Sequence, residues 1–169
     1  MTAAITPESN CYFNSPQGLI FISTTDMGIR KLNFVDNNTF ATEIKIPSHP
    51  LLIQLFSELE KYFGGTLTKF TVPLDLQGTF FQRKVWDAVS SVPYGEVISY
   101  ARLSAILHQP DAIRAVAHAN SRNPLLLLVP CHRIIGSNGD LTGYAGGLSR
   151  KKLLLEMEGA LQQLSLDLH

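Results

Sequence analysis

Residues 125–136 read LLLLVPCHRIIG, in which five apolar residues and a proline precede a cysteine, a histidine and an arginine. The apolar run predicts a short buried strand. Pro130 cannot donate to a strand ladder, so it predicts the end of that strand, with Cys131 at its rim. His132 and Arg133 cannot follow into an apolar core without polar partners. The stretch therefore predicts a strand that presents a cysteine to a polar site.

Two interpretations of Cys131 remain open on these residues alone. A free cysteine beside an apolar strand is often a small buried hydrophobe. Against this, the adjacent basic pair predicts a lowered thiol pKa and a larger fraction of thiolate, which is the form that attacks electrophiles. We expect Cys131 to be a nucleophile.

The residues before this stretch predict helices. Thr79 and Gln82 form a capping box at the start of one helix. The segments SYARLSAILH, residues 99–108, and PDAIRAVAHAN, residues 110–120, predict two short helices joined by a tight turn. Ser99 is the expected N-cap of the first and Pro110 the expected first-turn proline of the second. This spacing makes a candidate helix-turn-helix.

The first third of the chain predicts a different architecture. GLIFIST, residues 18–24, and GIRKLNFV, residues 28–35, are β-rich runs separated by a turn signal, which predicts a small antiparallel sheet. Residues 50–65 predict an amphipathic helix that ends at Gly64. The fold class is α/β (α+β): this sheet and helix form a domain over residues 1–77. A mostly helical domain with the helix-turn-helix and the cysteine-bearing strand follows over residues 78–169.

Composition limits the functional classes. The chain has 169 residues and no net formal charge, which gives no electrostatic support for nucleic-acid binding. Its two cysteines are far apart and no clustered Cys/His spacing occurs, so we expect neither a disulfide framework nor a metal site. The longest apolar run is too short to span a membrane and the N-terminus lacks a leader pattern. We expect a cytoplasmic protein.

Glu158 stands at an unfavourable position. It lies in the last turn of a helix predicted from Arg150 to Glu158, begun by Ser149 and stopped by Gly159, where the helix dipole disfavours a carboxylate. One interpretation is a solvated glutamate beside Arg150 or Lys151. The other is that Glu158 orients the imidazole of His132, in a Cys/His/Glu arrangement of nucleophile, base and orienting group.

The second helix of the candidate helix-turn-helix carries mostly small side chains. Arg114 is the only long cation among small residues, which include Ala112, Ala115 and Ala117. Close packing between helices is one explanation. A helix that reads base edges in the major groove would carry several long polar side chains. A smooth helix with one arginine fits the minor groove, where a side chain can fill a gap in the base stack.

Five blocks together resemble the O6-alkylguanine-DNA alkyltransferases. They are GEVISYARL at 95–103, AIRAVAHANSRNP at 112–124, PCHR at 130–133, GYAGG at 143–147 and LLLEMEG at 153–159. The blocks keep the order and spacing of that family, and SPQG at 15–18 resembles a feature of its N-terminal domain. The resemblance implies a repair protein that binds double-stranded DNA in the minor groove and flips out an alkylated guanine. The alkyl group then moves irreversibly onto the protein's own cysteine.

The resemblance also implies roles for single residues. Cys131 is the acceptor, His132 the base acting through a water, and Glu158 the group that orients His132. Arg114, with Ala112, Ala115 and Ala117 on the same helix, contacts DNA and takes the place of the extruded base. Tyr100 helps to rotate the nucleotide and donates to the guanine ring, and Asn123 ties the strand turn to the site. The pocket for the base is formed by Tyr144, Ala145, Gly146, Ile134 and Leu126.

The chain departs from the family at several positions. Leu126 stands where vertebrate members carry a pocket-wall proline, and Ala145 replaces a serine, so the accepted size of the alkyl group stays open. The zinc ligands of vertebrate members have no counterpart set here, and we expect no metal, no cofactor and a monomer. Two other functions remain possible: a damage-recognition module that transfers nothing, and a thiol hydrolase that turns over without DNA. Activity on O4-alkylthymine also stays open.

Overall fold

The computed structural model describes residues 8–36 and 46–162. The chain divides into two compact units, Met1–Gln77 and Gly78–His169. The first unit holds strands β1 (Ser9–Ser15), β2 (Gly18–Thr25) and β3 (Gly28–Val35) and helix α1 (Pro50–Phe63). The second holds α2 (Phe80–Ser90), β4 (Ile98–Ser99), α3 (Tyr100–Ile106), α4 (Ile113–Ser121), β5 (Ile134–Ile135) and α5 (Leu148–Met157). Both helices and strands are present, which confirms the mixed α/β class.

The first unit is an antiparallel sheet in the order β1-β2-β3. The predicted pair of β-rich runs is confirmed as β2 and β3, while β1 was not predicted. Its sequence, SNCYFNS, alternates too many polar residues to stand out as a strand, yet it pairs along its whole length with β2. The buried side chains of Ile20 and Ile22 on β2 and of Leu55 and Leu59 on α1 belong to the core of this unit.

Helix α1 begins and ends where its sequence indicates. Pro50 occupies the first turn, where its missing N–H costs no hydrogen bond, and His49 accepts a hydrogen bond from the backbone N–H of Leu51. Gly64 is the C-cap, and its N–H donates to the Glu60 carbonyl. The prediction for this helix is confirmed.

The second unit opens with α2, whose capping box is present in full. The Thr79 hydroxyl accepts from the backbone N–H of Gln82, and the Gln82 side chain accepts from the backbone N–H of Thr79. Trp86 of α2 is fully buried and donates its indole N–H to the Ala119 carbonyl of α4 at 2.9 Å. This bond fixes α4 against the centre of the unit.

Helices α3 and α4 pack against each other, as predicted for the two halves of a helix-turn-helix. The Ser99 hydroxyl caps α3 by accepting from the backbone N–H of Arg102. The prediction for Pro110 is wrong, because α4 begins at Ile113 after Ala112, which caps it without a side-chain hydrogen bond. Residues 110–112 belong instead to the turn, in which the Ala112 N–H donates to the Gln109 carbonyl.

The predicted strand over residues 125–129 is wrong. These residues form tight turns: the Leu128 N–H donates to the Leu126 carbonyl and the Val129 N–H to the Leu125 carbonyl. Leu127 takes a left-handed backbone conformation with φ of 70°. The run is apolar because the turn is buried within the unit, and burial alone does not distinguish a strand from a compact turn.

The strand next to Cys131 comes after it in the chain and not directly before it. Cys131–Arg133 form one turn of 3₁₀ helix, and β5 then pairs in parallel with β4. Helix α5 begins at Leu148 after Gly147, so the prediction that Ser149 begins it is wrong, whereas its end before Gly159 is confirmed. Among the helices of residues 8–36 and 46–162, none is both long and apolar enough to cross a membrane.

Candidate active site

Cys131 is a buried free cysteine at the start of the 3₁₀ turn, directly after Pro130. The Asn123 side-chain amide donates to the Cys131 sulfur at 3.1 Å and to the Val129 carbonyl at 2.8 Å. Its carbonyl oxygen accepts from the backbone N–H of Leu125 at 2.9 Å. One asparagine therefore spans the turn of residues 125–129 and links it to the thiol.

Glu158 is buried between two basic side chains. Its carboxylate accepts from His132 Nε2 at 2.8 Å, and from Arg133 Nε at 2.9 Å and Nη2 at 3.0 Å. Arg133 Nη1 also donates to the Val92 carbonyl at 2.7 Å. The interpretation of Glu158 as a solvated surface glutamate beside Arg150 or Lys151 is wrong, because α5 ends with Glu158 turned inward to these partners.

The charges of this cluster are set by burial and by the hydrogen bonds. Burial alone would raise the pKa of Glu158, but hydrogen bonds from His132 and Arg133 outweigh it and lower the pKa to about 2. Burial lowers the pKa of His132, and the bond to Glu158 opposes this only in part. At neutral pH the cluster therefore holds an ionised Glu158, a cationic Arg133 and a neutral imidazole.

The thiol is weakly acidic, so the expectation of a lowered Cys131 pKa is wrong. Burial raises the pKa of Cys131 to about 11, and the Asn123 hydrogen bond and the charge of Lys151 oppose it only partly. The basic pair next to Cys131 does not act as expected, because the charge of Arg133 is balanced by Glu158 and His132 is neutral. The position of Arg133 and His132 next to Cys131 in the sequence did not reveal that both bond to Glu158.

Two polar groups of the cluster have no hydrogen bond among the described residues. They are Nδ1 of His132, the ring nitrogen that does not face Glu158, and the hydroxyl of Tyr144. The rings of these two residues meet edge to face with centroids 6.3 Å apart. Buried polar atoms of this kind are satisfied by water or by a bound molecule in most proteins.

The chain matches two family models that together span most of it. The model of the 6-O-methylguanine DNA methyltransferase DNA-binding domain matches residues 80–160. The model of the ribonuclease-like domain of the same family matches residues 10–76. The chain belongs to the 6-O-methylguanine DNA methyltransferase family.

Relatives in this methyltransferase family are similar in sequence over most of the chain. A methylated-DNA–protein-cysteine methyltransferase of Mycobacterium leprae is 42% identical over 146 residues, which cover 86% of this chain and 88% of that protein. One from Methanosarcina acetivorans is 40% identical, with 88% and 96% covered. The crystal structure of a Mycobacterium tuberculosis OGT in complex with DNA has a TM-score of 0.79 and 39% identity, covering 88% of this chain and 91% of that one.

This member of the methyltransferase family brings most of its predicted site residues into one region. Asn123 bonds to Cys131 and Glu158 bonds to His132, and the two pairs are neighbours because Cys131 and His132 are adjacent in the chain. Tyr100 begins α3, and its hydroxyl donates to the Thr142 carbonyl, although at a long 3.5 Å. The remaining pocket residues lie in the segments next to the cluster: Leu126 and Ile134 are fully buried, Gly146 is buried, and Ala145 is exposed.

The predicted DNA-binding residues lie on α4, apart from the buried cluster. Arg114 and Ala115 are exposed, and Ala112 and Ala117 are half-buried. Arg114 makes no hydrogen bond or ion pair with any other residue that the structure describes. Its exposed guanidinium is therefore available to a ligand. The other explanation for the small residues also fits, because α4 packs against α2 and α3.

Sequence reasoning missed Lys151 and the partners of Arg133. Lys151 is as buried as any apolar residue of the unit. A signal for it exists, because Lys151, Leu154, Leu155 and Glu158 follow the spacing of one helical face and all four are buried. The position of a lysine on the apolar face of a helix is therefore the signal of a site, whereas the presence of a lysine alone is not.

Proposed function

We propose that this protein repairs alkylated guanine in DNA by direct reversal, moving the alkyl group from the O6 atom to the sulfur of Cys131. The observation that carries the proposal is the buried Cys131–His132–Glu158 cluster in a chain of the methyltransferase family. The names of the relatives state the same type of reaction, transfer from methylated DNA to a protein cysteine.

The transfer is a displacement at the alkyl carbon. The bond from the Cys131 sulfur to this carbon forms as the bond from the carbon to guanine O6 breaks. The thiol proton passes through a water to Nδ1 of His132, the buried ring nitrogen that has no hydrogen bond among the described residues. The leaving guanine takes up the proton of the Tyr100 hydroxyl and so departs neutral, and the imidazolium of His132 returns its proton through water to the tyrosinate, so that the charges balance. Sulfur gains the alkyl group and the base regains its normal form.

General-base assistance is needed because the thiol is so weakly acidic. With a pKa of about 11, only about one Cys131 in ten thousand is ionised at pH 7. A neutral imidazole whose Nε2 is held by Glu158 can accept the proton as the sulfur attacks. Arg133 neutralises Glu158 and fixes the carboxylate, which in turn fixes the ring.

Selectivity for a flipped base follows from the burial of the thiol. A base inside the duplex cannot reach Cys131, so the nucleotide must rotate out of the stack, which costs a few kcal/mol and least for a weakly paired, damaged base. We assign the minor groove to α4, with Arg114 in the gap left by the base and Ala112, Ala115 and Ala117 allowing close approach. Tyr144, Ala145, Gly146, Ile134 and Leu126 form the pocket.

The product cannot be reversed by the groups present. A thioether on Cys131 has no leaving group that His132 and Glu158 can expel, so each molecule acts once and needs no cofactor. The protein acts as a monomer on double-stranded DNA. We place it in the cytoplasm, because a free nucleophilic thiol persists in a reducing compartment.

The test uses a duplex that contains O6-methylguanine labelled in the methyl group. One label bound per protein molecule, lost in Cys131→Ser, is the expected result. Binding of the duplex without labelling would instead identify a damage-recognition module. Released label with repeated turnover would identify a hydrolase.

A further inference from the structure

Lys151 of α5 is a buried cation that the transfer mechanism above does not use. None of its surface is exposed. Its ammonium donates to three backbone carbonyls: Ile134 at 2.5 Å, Thr142 at 2.8 Å and Gly143 at 3.5 Å. No carboxylate pairs with it among the residues that the structure describes. An ion buried in this way is costly unless it is fully hydrogen-bonded.

The three carbonyls belong to two segments that form the site. Ile134 follows the Cys131–Arg133 turn directly. Thr142 and Gly143 precede Tyr144, whose ring contacts His132. Only a lysine ammonium can donate in three directions from one point, since an amide offers two donors and a thioether none. Lys151 therefore holds the loop of the pocket against the segment that carries the nucleophile.

The charge of Lys151 also acts on the thiol. Arg133, the other buried cation, is balanced by Glu158, whereas Lys151 faces only carbonyl dipoles. The ionisable groups that interact with Cys131 are Lys151, which favours its thiolate, and Tyr100 and Tyr144, which are neutral. His132 is neutral as well. Of these groups, Lys151 is thus the uncompensated positive charge that acts on the sulfur, and it bonds to Ile134, three residues from Cys131. Burial lowers its own pKa to about 8, so it carries this charge at neutral pH and loses it in alkali.

We propose that Lys151 is a positioning residue for alkyl transfer, which clamps the pocket loop to the Cys131 segment and favours the thiolate of Cys131 by its charge. The proposal rests on the proposed function for the transfer step, but its effect on the thiol can be measured without DNA. The clamp and the charge are separable, because an arginine keeps the charge and cannot reproduce the three-way contact.

The experiment compares Lys151→Met, Lys151→Arg and the matched control Lys152→Met. Lys152 is the next residue on the same helix, but its side chain is 63% exposed and pairs only loosely with Glu156 at 3.8 Å. For each protein we would measure thermal unfolding, the rate of Cys131 alkylation by iodoacetamide at pH 7, and benzyl transfer from the free base O6-benzylguanine. The Cys11→Ser background removes the other thiol from the alkylation signal.

Removal of the charge should slow Cys131 alkylation at pH 7, where wild-type Lys151 is still protonated, by about tenfold, the loss of thiolate that one pKa unit represents. Benzyl transfer by Lys151→Met should fall at least as much. Lys151→Arg should keep the wild-type alkylation rate at pH 7 and still transfer more slowly, since the clamp is lost. Lys152→Met should match the wild type in both measurements.

A folded Lys151→Met with the alkylation rate at pH 7 and the transfer rate of Lys152→Met would overturn the proposal. If Lys151→Met does not fold, Lys151→Arg decides: benzyl transfer at the wild-type rate would exclude the clamp, and alkylation at pH 7 about tenfold slower than in the wild type, despite the retained cation, would exclude the charge effect. A wild-type protein that reacts with iodoacetamide but accepts no alkyl group from O6-benzylguanine or alkylated duplex would contradict the proposed function, and the role of Lys151 in thiol acidity would still be measured.

Discussion

The two units each bury one free cysteine, and the comparison separates burial from reactivity. Cys11 lies on β1 opposite Ile22, and burial raises the pKa of its thiol to about 11 with nothing opposing. Burial raises the pKa of Cys131 to the same value, although the Asn123 amide and the charge of Lys151 oppose it. The acidity of the two thiols is alike, while their surroundings differ in kind.

A high thiol pKa is therefore no measure of function in this protein. What distinguishes the second unit is a buried histidine that follows its cysteine directly and bonds to Glu158, which Arg133 holds in turn. We have proposed this histidine as the base. The first unit offers its own buried carboxylate, Glu58, but neutral donors from Thr71 and Gln54 hold it. Both units bury polar groups, and among the described residues a polar side chain bonds to the thiol in the second unit, where Asn123 donates to Cys131.

The largest effect on alkyl transfer is expected when each of the two cysteines is replaced by serine in a separate variant. Cys131→Ser should reduce transfer of a labelled methyl group to background and leave duplex binding nearly unchanged, because the proposed DNA contacts lie on α4. Cys11→Ser should still take up one label per molecule, because no base accompanies that thiol. If Cys131→Ser still took up one label per molecule, Cys131 would not be the acceptor of the methyl group.

The next effect concerns the two buried glutamates. Glu158→Gln should slow transfer by about a hundredfold, the lower end of what a well-placed general base contributes, because the imidazole is less well oriented. It should also shift the pH profile of transfer to lower pH, because the hydrogen bond and charge of Glu158 raise the pKa of His132. Glu58→Gln removes a buried carboxylate of the first unit and should leave the transfer rate unchanged. Single-turnover kinetics across pH make the comparison. A pH profile of Glu158→Gln that overlies the wild type would contradict the orienting role.

A smaller and substrate-dependent effect is expected for Arg114. Arg114→Ala should slow repair of a duplex lesion by about tenfold, since even 1.4 kcal/mol of lost support for the extruded base has this effect. Arg114→Lys should recover only part, because lysine lacks the planar group that stacks. Arg122→Ala, at the other end of α4, is the control for a lost surface cation.

Transfer from the free base O6-benzylguanine separates this role from a folding defect. No duplex has to be opened for that substrate, so Arg114→Ala should react with it at the wild-type rate. Equal losses with the duplex and the free base would mean that Arg114 supports the structure of its own unit.

The smallest effect concerns acid stability. The pKa of Glu158 is about 2 in the folded protein and about 4.5 when unfolded, so its stabilisation is complete above pH 4.5 and is lost as pH falls toward 2. Between pH 7 and pH 4 this loss is about 1 kcal/mol. The lowered pKa of His132 acts in the same direction, because the unfolded chain takes up its proton first below pH 6.5.

Urea unfolding of wild type and Glu158→Gln at pH 7 and pH 4 measures this term. The gap between their free energies of unfolding should narrow by about 1 kcal/mol at the lower pH, since only the wild type loses the ionised carboxylate. A gap that stays constant with pH would show that the carboxylate is not the group whose ionisation stabilises this cluster.

The sequence by itself determined the features that depend on residues close together in the chain, within one or two helical turns. The capping box of Thr79 and Gln82, the N-cap at Ser99 and the helix from Pro50 to Gly64 all match their signals. Each such feature is built from residues within a few positions of one another, so the rest of the fold cannot easily override it. Adjacency of Cys131 and His132 also marked the site. The unfavourable position of Glu158 at a helix end, 26 residues further on, indicated that it needs a partner, and the family resemblance favoured His132 as that partner.

Only the tertiary structure decided what these residues do to one another. The run at 125–129 became a buried turn because Asn123 bonds across it, although its composition equally suited a strand. The thiol pKa rose where the sequence predicted a fall, because Glu158 balances Arg133 and burial outweighs the remaining charge. Lys151 became a buried clamp because three carbonyls from distant segments converge on it. Desolvation and charge pairing depend on everything packed around a group, and residues distant in the chain supply most of that packing.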